Sequence, residues 1–391
     1  AADVQRGNVA KSGKMTLTQF YEFWKENHAL KNHEISTIAY NDQLFTRIKT
    51  ALGHKKIAAI EPKHLLAFYK NLAEPGIKKV QKPKGENSPE PTDKNKDNNL
   101  NGTMIDAETA KDKPKEPLPA LASSTVRKYH TLISSLLEKA VKWGLLPYNA
   151  AKRVEPPKND AKPKSIYDPE LLGSFLNVLE TEDLKHRLWI LLALAGGLRR
   201  EEVFGLEWKN VNFETGTLAL EQASIYVAGK GTITKGPKNK SGRRNVSLPP
   251  STMALLAEYK VEQAKAENKL GSKWIKTDRI FTRWNGGNAH PQSFNTWLTR
   301  FCKEKGLPHI TPHALRHMAA TYLIAGGTDI RTVSGKLGHS KSSTTLNIYS
   351  HLVKSAEAET ATAMEAFLQT TAAKAIEKLK KENETEKEQG Q

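Results

Sequence analysis

The stretch TPHALRHMAATYLIAGGTDIRTVSGKLGHSKSSTTLNIYSH, Thr311 to His351, decides the fold of the second half of the chain. Thr311 reads as a helix N-cap and Pro312 as the first helical residue, where the missing N–H costs nothing. Leu315, Met318, Ala319, Tyr322 and Leu323 then recur at helical spacing and form a core-facing stripe. His313 and Arg316 lie three apart, so both side chains are expected on one face near the helix N-terminus. That end carries positive dipole and unsatisfied N–H groups, a natural seat for a phosphate. Gly326-Gly327 ends the helix. A second helix is expected from about Asp329, with Ile330, Val333 and Leu337 as its apolar stripe, stopped by Gly338, which presents His339. Tyr349 follows Thr344-Thr345 on another short helical segment.

Working outward, the 391 residues suffice for two ordinary domains. Lys and Arg outnumber Asp and Glu 60 to 42, a formal net charge of +18. That excess favours nucleic acid or another anionic surface as partner, although a merely basic soluble protein shares it. Cys302 is the sole cysteine, so no intrachain disulfide forms, which fits a reducing cytoplasm. No apolar run is long enough to span a membrane, and no signal peptide opens the chain. Ala1 in first position reads as a trimmed or processed start.

Residues 1–14 read as a linker, followed by a helical domain over 15–155. Thr16 caps a helix carrying Leu17, Phe20, Tyr21 and Trp24, and a second carries Ile38, Leu44, Phe45 and Ile48 and ends near Gly53. Pro62 opens a third with Leu65, Leu66, Phe68, Tyr69 and Leu72 as its core stripe. From about 76 to 119 large apolar residues are scarce and acids and bases nearly balance, so the segment reads as a flexible insertion and the basic excess belongs to the folded parts. Helical periodicity resumes at Ser123 with Val126, Tyr129, Ile133, Leu136, Leu137, Ala140 and Val141. A basic, Pro-rich connector occupies 156–166.

The second domain, 167–355, opens at the cap Asp168-Pro169-Glu170. A buried helix runs through Leu188, Trp189, Leu191, Leu192 and Leu194 to Gly196-Gly197. Ala223, Ile225, Val227, Ile233, Val246 and Leu248 alternate as in a small antiparallel sheet. Phe294, Trp297 and Leu298 mark the next helix, within 280–301. Residues 356–391 form a final amphipathic helix and charged tail, with Met364, Phe367 and Leu368 as an apolar patch.

H-A-L-R-H, L-G-H-S and T-T-x-x-x-Y-S-H, in this order and spacing, resemble the C-terminal signature of the tyrosine recombinases, the phage and conjugative-transposon integrases. G-L-R-R-E-E-V-F-G-L resembles that family's G-x-R-x-x-E and points to Arg199, supported by Glu202; Arg200 is the rival, disfavoured by the spacing. P-K-x-x-x-x-x-R-x-V-x-L places the family's lysine at Lys238, with Lys235 and Lys240 as competitors and simple phosphate contact as the plain role for all three. L-G-H-K-K-I and V-K-W-G-L-L-P-Y-N resemble the family's helical core-binding domain. An arm-binding domain of the kind many integrases carry ahead of it does not fit residues 1–14.

The resemblance implies a mostly α fold with a small antiparallel sheet, in two domains that clamp DNA. It implies a site-specific recombinase of a mobile element, in the cytoplasm, acting through a 3′-phosphotyrosine and a Holliday junction. Tyr349 is the expected nucleophile, Arg199 and Arg316 the phosphate clamp, His339 a further donor, His313 the general base and Lys238 the general acid. The expected partners are double-stranded DNA, further copies of the chain in a dimer or tetramer, with the 356–391 helix docking in trans, and accessory factors for excision or DNA bending. No cofactor and no metal is expected, the guanidiniums and the ammonium supplying the positive charge. Other readings stand beside this one. His313 and His317 are four apart, as in the zinc motif H-E-x-x-H, but Ala314 stands in the place of its glutamate; His317 otherwise reads as a packed core histidine. A type IB topoisomerase shares the covalent chemistry, and a DNA-binding regulator would share the fold without it.

Overall fold

A computed structural model describes residues 14–76, 120–158, 166–227, 229–237 and 240–339. The chain divides into two compact units, residues 1–163 and 164–391. Among the described residues both are mainly helical, and no helix is long and apolar enough to cross a membrane.

In the first unit α1 (Leu17–Trp24) starts on a capping box, in which the Thr16 hydroxyl and the Gln19 side chain satisfy each other's backbone N–H groups. It runs on into a π-helical turn, Lys25–Ala29. α2 (Ile35–Leu52), α3 (Pro62–Leu72) and α4 (Ser123–Lys142) complete the bundle. Their apolar stripes meet in one core, with the Tyr21 and Phe45 rings stacked at 3.7 Å. Leu65, Phe68, Tyr69 and Leu72 are buried as expected, but Leu66 is 54% exposed. The stripe on α3 follows i, i+3, i+4, i+7, and Leu66 lies about 100° away from it.

The second unit begins with α5 (Pro169–Leu179), capped by the Asp168 carboxylate on the Leu171 N–H at 2.8 Å. α6 (Leu184–Leu194) lies at its centre, and its Leu188, Ile190, Leu192 and Ala193 are fully buried. A single turn, α7 (Arg200–Val203), follows. The strands β1 (Val211–Asn212), β2 (Thr217–Leu220), β3 (Ala223–Val227), β4 (Gly231–Lys235) and β5 (Arg244–Ser247) do not join in the one sheet that the alternation suggests. They form an antiparallel three-stranded sheet, β1-β2-β5, and a separate antiparallel ribbon, β3-β4. Alternation reports which face of a strand is buried and carries no information about which strand it pairs with.

α8 (Pro250–Leu270) was not foreseen from the sequence; it buries only a short stripe, Thr252, Met253, Leu256 and Tyr259, in its first half. α9 (Gln292–Glu304) occupies only the end of the 280–301 stretch, which opens with a loop. α10 (Pro312–Ala325) and α11 (Ile330–Leu337) follow the reading of the 311–339 stretch closely: Thr311 and Asp329 cap them through their side chains, and Gly338 ends α11 in the left-handed conformation. α10 packs on α6, and this contact brings the H-A-L-R-H segment beside the end of α6, where Arg199 lies.

Candidate active site

The carboxylate of Glu202 is the hub. Residues 199–202 form an N-terminal cap: Glu202, at the third position of α7, reaches back to accept the Arg199 N–H at 2.8 Å. The same carboxylate accepts Arg199 Nη1 at 2.7 Å. The G-x-R-x-x-E spacing therefore has a local cause, since only a residue three positions into the helix reaches the cap backbone. Arg200 turns elsewhere, to Glu201, Gln292 and Asn295.

Two further arginines converge on Glu202. Arg244, the first residue of β5, forms a two-pronged pair with it, Nη1 to Oε1 and Nη2 to Oε2, both at 3.0 Å. Its Nε donates to the Lys336 carbonyl at 2.7 Å. Arg316, from α10, lies with Nη1 3.9 Å from Oε2. Its Nη1 also donates to the Gly197 carbonyl at 2.6 Å, and its Nη2 to the Leu337 carbonyl. Those carbonyls lie at the ends of helices, where acceptors are left over and the dipole is negative. This explains a departure from the sequence reading: His313 and Arg316 do not share an exposed face. Arg316 is only 2% exposed, drawn inward by these carbonyls, whereas His313 stays at the surface.

Gly338 closes the cluster. Its carbonyl accepts Arg199 Nη2 at 3.2 Å. It has φ +64°, and a Cβ there would lie 2.7 Å from Arg244 Nη1 and 2.8 Å from the Ser241 carbonyl. The turn it makes delivers His339, half-buried, beside the arginines. Burial first, then the charges of Arg316 and Arg199, pushes the His339 imidazole down to about 4, so at neutral pH it is uncharged and donates through one N–H. Burial drives the Glu202 carboxyl upward, but the hydrogen bonds and charge of Arg244, with the charge of Arg199, overcome it and hold the group below the usual carboxylate range. His313 and His317 pack edge to face at 4.4 Å, and among the described residues no group of three or more His, Cys, Asp or Glu side chains converges to hold a metal.

The cluster thus sets three guanidiniums against one carboxylate. A surplus of fixed positive charge around neutral donors, walled by the core of the unit, is suited to a phosphate and still better to a phosphorane, which gains charge. Arg199 is the most accessible of the three, its side chain 36% exposed against 7% for Arg244. Arg244 had no role in the sequence reading, although the pattern P-K-x-x-x-x-x-R-x-V-x-L contains it; the signal was a fixed arginine at the start of an alternating strand. Lys238, Tyr349 and the segment 356–391 lie outside the described residues.

The Phage integrase family model matches residues 168–356, and the model for the phage integrase N-terminal SAM-like domain matches residues 16–73. Together they span well over half of the chain. The chain belongs to the tyrosine recombinase family. It is thereby an enzyme of DNA strand cleavage and rejoining. This tyrosine recombinase is 26% identical over 248 residues to the ICEBs1 integrase of Bacillus subtilis (strain 168), a match covering 63% of the chain and 67% of the relative. It is 29% identical over 257 residues to a XerC-like tyrosine recombinase of Caldanaerobacter subterraneus, covering 59% of the chain and 63% of that relative. The fold is similar to that of the Tn1549 transposon integrase solved with a circular-intermediate DNA, with TM-score 0.64 and 19% identity over 86% of this chain and 95% of that one. A lambda integrase dimer bound to a core site is similar at TM-score 0.53 and 14% identity, over 85% and 95% of the two chains.

Proposed function

We propose that the chain is the integrase-type recombinase of a mobile element and that the Glu202-centred arginine cluster binds the scissile phosphate of double-stranded DNA. The observation that carries this reading is the convergence of Arg199, Arg244 and Arg316 on one buried carboxylate beside His339. The guanidiniums hold the non-bridging oxygens and His339 donates to one of them. Glu202 takes no part in bond making; it fixes the forks.

The Tyr349 oxygen attacks phosphorus, and its proton passes to His313. The bond from phosphorus to the 5′-oxygen breaks, and Lys238 gives that oxygen a proton. The product is a 3′-phosphotyrosine and a free 5′-hydroxyl. Because a phenol has a pKa of about 10, the aryl phosphate remains open to attack by the 5′-hydroxyl of another strand, so rejoining needs no nucleotide cofactor. Two such exchanges pass through a Holliday junction. The work is done in the cytoplasm by copies assembled on DNA as a dimer and then a tetramer, with accessory proteins that bend the DNA or direct excision.

A suicide duplex, nicked so that the cut strand diffuses away, tests the assignment on a denaturing gel. Wild type is expected to leave a covalent protein–DNA band, and Tyr349→Phe none while keeping DNA affinity. A covalent band that persists in Tyr349→Phe moves the nucleophile to another residue.

A further inference from the structure

We infer that Arg279 is a positioning residue, anchoring the β3-β4 ribbon that leads to Lys238 against the arginine cluster. The inference rests on the reading of Lys238 as the general acid. A two-stranded ribbon standing apart from any larger sheet is marginal in water by itself. Here the ribbon joins no other sheet among the described residues, and β4 ends at Lys235, three residues before Lys238. Something outside the ribbon must hold it.

Arg279 is placed to do so. It is 6% exposed. Its Nη1 donates to the Gly205 carbonyl at 2.5 Å and its Nη2 to Thr234 Oγ1, on β4, at 2.5 Å. Nη2 also lies 3.6 Å from the Glu207 carboxylate. The backbone around it is fixed by a bridge between Glu207 and Arg279 and by the Ile280 N–H on the Leu206 carbonyl at 3.1 Å. On the other side the Gly205 N–H donates to the Glu202 carbonyl at 2.9 Å. One guanidinium therefore spans from the strand carrying Thr234 to the turn that follows Glu202. β3 is seated at the same place: a Cβ on Gly205 would lie 2.6 Å from the Gln222 carbonyl and 2.9 Å from Ala223 Cα. Gln222 Nε2 adds a second donor to the Gly205 carbonyl at 3.1 Å. A planar fork with two separated donors fits this span, and an ammonium does not reproduce it.

If Arg279 fixes the ribbon from which the chain runs on to Lys238, its loss impairs protonation of the leaving oxygen more than it impairs phosphate binding. Full-length Arg279→Met, Thr234→Val and Lys238→Ala are compared with wild type in single-turnover cleavage of two duplexes. One is ordinary; in the other, sulfur replaces the bridging 5′-oxygen, so the leaving group departs as a thiolate and needs no proton. Thr234→Val removes one exposed acceptor and keeps the ribbon's residues otherwise intact, so it stands in should Arg279→Met fold poorly. Lys238→Ala is expected to cut the ordinary duplex about 100-fold or more slowly, the range a general acid contributes, Arg279→Met and Thr234→Val more slowly by a part of that, and all three the sulfur duplex at near the wild-type rate. If Lys238→Ala is restored by sulfur but neither Arg279→Met nor Thr234→Val is, or if those two show no loss, the anchoring role is overturned. If those two are restored and Lys238→Ala is not, the anchoring stands and the acid belongs to another lysine of the turn. If none is restored, both readings fall.

Discussion

Glu202 holds a negative charge at 7% exposure, and its three guanidinium neighbours make that tolerable. Removing the charge reverses the balance and leaves buried arginines facing one another. Glu202→Gln is therefore expected to destabilise the chain by about 3–5 kcal/mol, the usual result of breaking a buried pair on one side, and to abolish cleavage. Urea unfolding measures it; a change under about 1 kcal/mol would mean that the arginines hold their geometry without the carboxylate. Burial lowers several histidines, and the two with a large shift are His339 and His186. His339 and His186 are each lowered from 6.5 to about 4, chiefly by burial, His186 with its ring flat against Trp297. Their folded values lie below the unfolded one, so the unfolded chain takes up protons first as pH falls. Their contribution is complete above pH 6.5 and is lost on the way down to about 4. Stability is expected to fall over that window, and His186→Phe, which keeps a ring on Trp297, is expected to lose less between pH 7.5 and 5. Equal losses in the two proteins would remove His186 from the account.

At the scale of elements, the end of α11 is the most demanding joint. Gly338 must be left-handed and must leave room for Arg244. Gly338→Ala meets two costs, about 1–2 kcal/mol for the conformation and a displaced guanidinium. The expected outcome is a small fall in thermal midpoint together with a large loss of cleavage, since Arg244, Arg199 and His339 all depend on this turn. A variant that melts lower but cuts at the wild-type rate would separate the turn from the chemistry. Elements with strong caps and clean stripes were legible: Thr16, Asp168 and Thr311 cap where expected, and α11 starts beside Asp329. α8 was not, because its buried stripe is short and stops at Tyr259, while the rest of the helix is largely polar. Strand pairing was not, because the alternation within β2 does not say whether β5 or the nearer β3 is its partner.

For the whole molecule the proposed reaction needs several copies to act together, and residues 356–391 are the candidate link through Met364, Phe367 and Leu368. Deleting 356–391 is expected to leave binding to a single site nearly unchanged and to weaken pairing of sites. Sedimentation of the DNA complex reads this directly: dimers and tetramers forming at unchanged concentration in the truncated chain would place the assembly surface elsewhere.

Residue type and spacing alone determined the family signature, the capped helix starts at Thr16, Asp168 and Thr311, and the pairing of Arg199 with Glu202, because a cap and an i, i+3 contact are local. Tertiary structure decided the rest of the site. Arg244 and Arg316 are 42 and 114 residues from Glu202 and reach it only because β5 and α10 pack where they do. The inward turn of Arg316 was likewise invisible in the H-A-L-R-H segment, since the carbonyls that attract it belong to Gly197 and Leu337. Charge of this kind is held by backbone ends contributed from separate helices, and no single stretch of sequence contains them.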